Sequence, residues 1–72
     1  MEDELYLERL GLKIYRLRKA KGMTQLDLAE RLSTKNTQVR RIEQGKVNSS
    51  INMLRKIAKV LGVSVSELVN IK

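Results

Sequence analysis

The stretch from Thr24 to Gly45, T-Q-L-D-L-A-E-R-L-S-T-K-N-T-Q-V-R-R-I-E-Q-G, constrains the chain more than any other. It reads as two short helices joined by a tight turn, the first over Gln25 to Leu32 and the second over Asn36 to Glu43. Leu26, Leu28, Ala29 and Leu32 give the first an apolar face. Val39 and Ile42, three apart, give the second only a narrow apolar stripe. Its remaining surface is polar or basic: Asn36, Thr37, Arg40, Arg41 and Gln44. A helix with two anchors and a long hydrogen-bonding face is suited to contact from outside. Amides and guanidiniums of this kind match base edges in a DNA major groove, which is about as wide as a helix with its side chains.

Charge points the same way. The formal net charge is +7, but four of the eight acids, Glu2, Asp3, Glu4 and Glu8, fall in the first eight residues. From Arg9 onward fifteen basic residues face four acids, which favours a polyanionic partner. With no Cys and no His, the chain has no disulfide, thiolate nucleophile or imidazole base, and the usual zinc sites are excluded. No residue cluster offers a nucleophile beside a base, so no enzymatic role, cofactor or metal is expected. Two Tyr with no Phe or Trp require an aliphatic core and argue against stacking on single-stranded RNA. Apolar runs are too short to span a bilayer and the N-terminus is acidic, so the expectation is a cytoplasmic protein without membrane contact.

At 72 residues, with no linker or repeat, the chain is expected to be one domain. A first helix starts near Asp3 or Glu4 and carries the stripe Leu7, Leu10, Ile14, Leu17. Gly11 interrupts it and has two explanations, close packing or a break that leaves residues 2–10 apart. Gly22 is a natural stop. Thr24 is positioned to accept from the Asp27 N–H and cap the next helix. Gly45 closes the helix after that, and Lys46 to Ser49 is a loop. Ser50 caps a fourth helix with the stripe Ile51, Leu54, Ile57, Ala58, Leu61, which Gly62 ends. Ser64-Val65-Ser66-Glu67 is a second capping pattern and opens a short fifth helix. Five helices with short connections make an all-α domain.

From about Leu12 to Leu68 the chain resembles the helix-turn-helix domain of Cro and C1-type phage repressors, the Xre family. The matching segments are I-Y-R-L-R-K-A-K-G-M-T-Q-L-D-L-A-E-R-L, V-R-R-I-E-Q-G-K and L-R-K-I-A-K-V-L-G-V-S-V-S-E-L. The resemblance implies a compact five-helix lambda-repressor-like fold, with the second and third helices as the DNA-binding unit. It also implies a transcriptional regulator, usually a repressor, that binds a palindromic operator as a dimer.

Carried over by position, the resemblance makes Gln25 a phosphate contact, which suits the free N–H groups of a helix start. Asn36, Thr37 and Arg41 fall where the family reads bases. Asn pairs with adenine, the Thr methyl packs on thymine, and Arg takes guanine O6 and N7. Arg40 divides between phosphate and base. Gln44, Gly45 and Lys46 match the loop that grips the sugar-phosphate backbone. Gln38 is expected to pack beside the preceding helix. Arg18 and Glu43 match a family salt bridge between the first and third helices, of intermediate energetic cost when broken. Val65, Leu68, Val69 and Ile71 are the expected homodimer interface, giving a dimer that is weak without DNA.

Two positions depart from the family pattern. The usual turn glycine is Ser33, and the usual small polar cap before the third helix is Lys35, a poor N-cap. A one-residue shift there would rotate Asn36 and Thr37 by about 100°. The first ten residues lie outside the match. They either extend the first helix, touch a partner subunit or fray. A different function shared by this fold is the antitoxin of a toxin–antitoxin pair, whose partner would be a small protein.

Overall fold

Residues 3–71 are described by a computed structural model. The chain forms α1 (Asp3–Ala20), α2 (Gln25–Leu32), α3 (Asn36–Glu43), α4 (Ile51–Leu61) and α5 (Val65–Val69). Each helix contributes one fully buried aliphatic side chain to a common core: Ile14, Leu28, Val39, Ile57 and Leu68. Burying such a side chain stabilises the fold by about 1.5–3 kcal/mol. Leu10, Leu32, Ile42 and Leu61 fill the space between them.

Helix starts follow the expected chemistry. The Thr24 hydroxyl accepts from the Asp27 N–H at 3.0 Å, and the Asp27 carboxylate accepts from the Thr24 N–H at 2.9 Å, a complete capping box. Ser50 and Ser64 accept from Met53 and Glu67. Helix ends share one device. The N–H groups of Met23, Thr34, Lys46 and Val63 each reach back to the carbonyl five residues earlier. This Schellman closure puts the preceding residue in the left-handed region. Three of those residues are glycines, and the fourth is Ser33, at φ 56°.

Gly11 does not break α1, which runs straight through it. A Cβ at Gly11 would meet the Ile42 carbonyl oxygen at 2.5 Å and the Glu43 carbonyl oxygen still closer. The glycine is there for close packing of α1 on the end of α3.

Three apolar expectations are corrected. Leu26 is 55% exposed, because Gln25, Leu28, Ala29 and Leu32 take the inward face of α2 and Leu26 rotates to its side. Ile51 is 60% exposed, since it lies in the first turn of α4, beyond the packed layer. Leu68 is fully buried and plugs the core where α5 meets α1 and α4, so it offers no surface to a second subunit. Val65 and Ile71 pack against the core with part of their surface open, and Val69 is half-buried.

Candidate nucleic-acid interface

Helix α3 is about 12 Å long at 1.5 Å per residue. Val39 and Ile42 are buried beneath it, while Asn36, Thr37, Arg40 and Arg41 are exposed. Lys35 occupies the N-cap position with φ −86° and ψ 149° and gives no side-chain cap. Its carbonyl accepts from the Gln38 and Val39 N–H groups, which sets the helix register without the side chain. Asn36 and Thr37 therefore stand at the first two helical positions, with no register shift. Among the described residues, no backbone carbonyl accepts from their own N–H groups. Gln38 is half-buried on the side of the α2–α3 turn, near Ser33 and Thr34.

The other end of α3 is held by a buried polar network. Arg18 Nε donates to Glu43 Oε2 at 2.6 Å and Nη2 donates to Glu43 Oε1 at 3.0 Å. Both side chains are 5% exposed. The third donor, Nη1, reaches the Met23 carbonyl at 2.7 Å, so the guanidinium also ties down the α1–α2 turn. Its Cζ stands 5.2 Å from the Tyr15 ring centroid, within cation–π range. Hydrogen bonding to Glu43 raises the Arg18 pKa against the opposing effect of burial, so the guanidinium stays charged. Among the described residues no buried side-chain nitrogen or oxygen lacks a partner.

Gln25 joins this network. Its Nε2 donates to Glu43 Oε1 at 3.1 Å. Sequence reasoning placed Gln25 at the DNA surface and missed this bond. The available signal was its position on the inward stripe of α2, three residues before Leu28. Half-buried, Gln25 keeps its carbonyl oxygen and second N–H outside that bond. It shares a surface cleft with Thr24, Leu26 and Asn36, which brings the starts of α2 and α3 side by side.

Gln44 and Lys46 are exposed on either side of Gly45, just past α3. Gly45 has φ +74°, and a Cβ on it would meet the Glu8 N and Cα at 2.7 Å. The loop thus rests on the backbone of α1. Residues 3–10 extend α1, and they leave the Asn36–Arg41 face uncovered, since those four polar side chains are exposed. The extension is tied down at its far side, where the Tyr6 hydroxyl donates to the Val69 carbonyl at 2.7 Å. Lys13 Nζ donates to the Glu67 and Asn70 carbonyls and closes the end of α5. Neither contact was foreseen, because tyrosine and lysine on a helix flank carry no distinctive spacing.

The profile of the helix-turn-helix family HTH_3 matches residues 14–68, and the chain belongs to that family. The immunity repressor protein of Bacillus phage phi105 is 33% identical over 60 residues. That alignment covers 83% of this chain and 42% of the repressor, so the chain spans less than half of that relative's length. The restriction-modification controller protein C.AhdI from Aeromonas hydrophila superposes with a TM-score of 0.82 at 32% identity, over 86% of this chain and 94% of that one. The biofilm master regulator SinR, solved in complex with DNA, superposes with a TM-score of 0.79 at 35% identity, over 85% and 98% of the two chains. Among the described residues, no helix is long and apolar enough to cross a membrane.

Proposed function

We propose that this chain is a sequence-specific double-stranded DNA-binding regulator of transcription, a repressor acting by occupancy of its operator. The observation that supports it best is the outward row Asn36, Thr37, Arg40 and Arg41 on a helix pinned beneath by Val39 and Ile42. In this reading α3 enters the major groove. Asn36 and Thr37 contact bases near its start, and Arg41 reaches a guanine one turn on. Arg40 lies between base and phosphate. Gln25, Gln44, Gly45 and Lys46 hold the sugar-phosphate backbone and set the register.

The chain works as a homodimer on a two-fold operator, with half-sites about 34–36 Å apart. Val65, Val69 and Ile71 supply the contact between subunits, and the small area they expose makes the dimer weak until DNA brings two copies together. The repressor likeness and the SinR–DNA structure support DNA as the ligand. Selection of bound sites from random duplexes at two salt concentrations tests the reading. The expected result is a two-fold symmetric consensus whose affinity falls steeply with salt. Uniform recovery of all sequences would refute it.

A further inference from the structure

Among the described residues, Leu26 is the one large apolar side chain of α2 and α3 left exposed. Gln25, Leu28, Ala29 and Leu32 take the inward face of α2, so the core gains little from it. A single exposed leucine is ordinary; its surroundings set this one apart. It lines an open cleft of about 450 Å³ together with Lys19, Thr24, Gln25 and Asn36. Arg18 and Met23, both buried, close the floor of that cleft. Asn36 is the first residue of α3 and of its outward row.

Leu26 stands at the second position of α2. The Cα–Cβ bonds of a helix tilt toward its N-terminus, so a side chain in the first turn leans out past the helix start. In the proposed function, that end of α2 is where Gln25 meets the sugar-phosphate backbone. Lys19, in the last turn of α1, adds a cation to the same rim. An amide and an ammonium suit phosphate oxygens, and a leucine does not. The base edges in the major groove offer hydrogen-bond donors and acceptors, with one apolar projection, the C5-methyl group of thymine. That methyl group is what a leucine on this rim can cover.

We propose that Leu26 is a specificity-determining residue of the DNA site, packing on the C5-methyl group of a thymine at the Asn36 end of the half-site. The assignment rests on α3 entering the major groove. Leu26 and Asn36 share one cleft, so this thymine lies within one base pair of the base that Asn36 contacts. Arg41 stands at the other end of the outward row and reads elsewhere. Helix α2 then contributes to base choice as well as to gripping the backbone.

The test crosses variants of the full chain with variants of the duplex obtained by site selection. Each thymine is replaced in turn by deoxyuridine, which removes the methyl group and keeps the hydrogen-bonding edge, and Kd is read by fluorescence anisotropy. The position whose preference Asn36→Ala alters marks the Asn36 end. With the parent chain, the thymine within one base pair of it is expected to lose about fourfold in affinity on replacement, the worth of one buried methyl group. With Leu26→Ala that penalty disappears, while penalties at other thymines, including one covered by the Thr37 methyl, persist. Leu26→Met keeps an apolar cover and keeps the penalty. Leu26 is 55% exposed, so both variants are expected to unfold at the temperature of the parent, which certifies the fold. A penalty that Leu26→Ala leaves unchanged, a consensus without thymine at that position, or a Leu26→Ala loss equal on all duplexes would each overturn the assignment. In those three cases a consensus that Asn36→Ala alters still upholds α3 as the reader. A parent chain that selects no consensus overturns both.

Discussion

Removing one member of the Arg18–Glu43 pair leaves its partner charged in a dry site. Glu43→Gln keeps the shape of the side chain but withdraws the charge, leaving a guanidinium that is 4% exposed facing an amide. Breaking a buried pair in this way costs about 3–5 kcal/mol, far above the value of less than about 1 kcal/mol for an exposed pair. The near-complete burial moves the cost above the intermediate value expected from sequence. Set against a total of about 4–11 kcal/mol for a chain of this length, one such change removes about a quarter of the stability or more. Replacing both residues, Arg18→Met with Glu43→Leu, leaves no stranded charge. The Met23 carbonyl and the Gln25 amide then lose one partner each. Gln25 recovers water, so the double variant falls within about 1.5 kcal/mol of the parent. The cycle of Arg18→Met and Glu43→Leu therefore predicts a coupling of at least about 4.5 kcal/mol. Urea unfolding followed by circular dichroism measures it. With a slope of about 1 kcal/mol/M, the single variants move the midpoint by about 3 M. If a single variant is unfolded in buffer, the cycle is run in a stabilised Ser33→Gly background. A coupling near zero, or an Arg18→Met cost below about 1 kcal/mol, refutes the reasoning.

Ser33→Gly relieves a left-handed non-glycine residue and stabilises the chain by about 0.5–1 kcal/mol, read as a raised urea midpoint. Gly11→Ala adds up to about 1 kcal/mol of helix propensity but drives a methyl into two backbone carbonyls, so a net loss of about 1–2 kcal/mol is expected in the same assay. The Thr24 hydrogen bonds hold the Asp27 carboxyl below its ordinary pKa. Its folded pKa is the lower one, so its contribution is complete above the unfolded value near 3.8 and fades as pH falls through the folded value. Asp27→Asn should therefore flatten the stability profile below about pH 4 relative to the parent. On DNA, Arg41→Ala should relax preference at one operator position at a cost of about 1–3 kcal/mol, whereas Lys46→Ala should weaken all sequences alike and reduce the salt slope by about one, both read by site selection and salt titration.

The helices were legible because their signals are local. Thr24, Ser50 and Ser64 sit where caps are needed, and Gly22, Gly45 and Gly62 sit where chains must turn left-handed. Hydrophobic spacing located Leu10, Ile14, Leu28, Val39 and Ile57 in the core. It failed at Leu26, because two candidate stripes overlap in an eight-residue helix and the polar Gln25 took the inward position. It failed at Leu68 because spacing ranks a residue as apolar without saying whether the core or a second subunit covers it. The role of Gly11 was undecided for a related reason. A glycine that breaks a helix and one that admits a neighbour's backbone look alike until the α3 carbonyls are placed against it.

An eight-residue helix is marginal on its own in water, and α3 lacks even a side-chain cap at its start. Its order must come from outside, and the sources are all on the far side from Asn36, Thr37, Arg40 and Arg41. Val39 and Ile42 fix its height above the core. Glu43, gripped by Arg18 and Gln25, fixes its rotation. Gly11 and Gly45 let the α1 backbone approach its end closely enough to act as a stop. None of these constraints involves the outward side chains. Substituting the outward residues therefore leaves the scaffold intact while changing what the helix can contact, which is the separation of stability from specificity that a sequence reader requires.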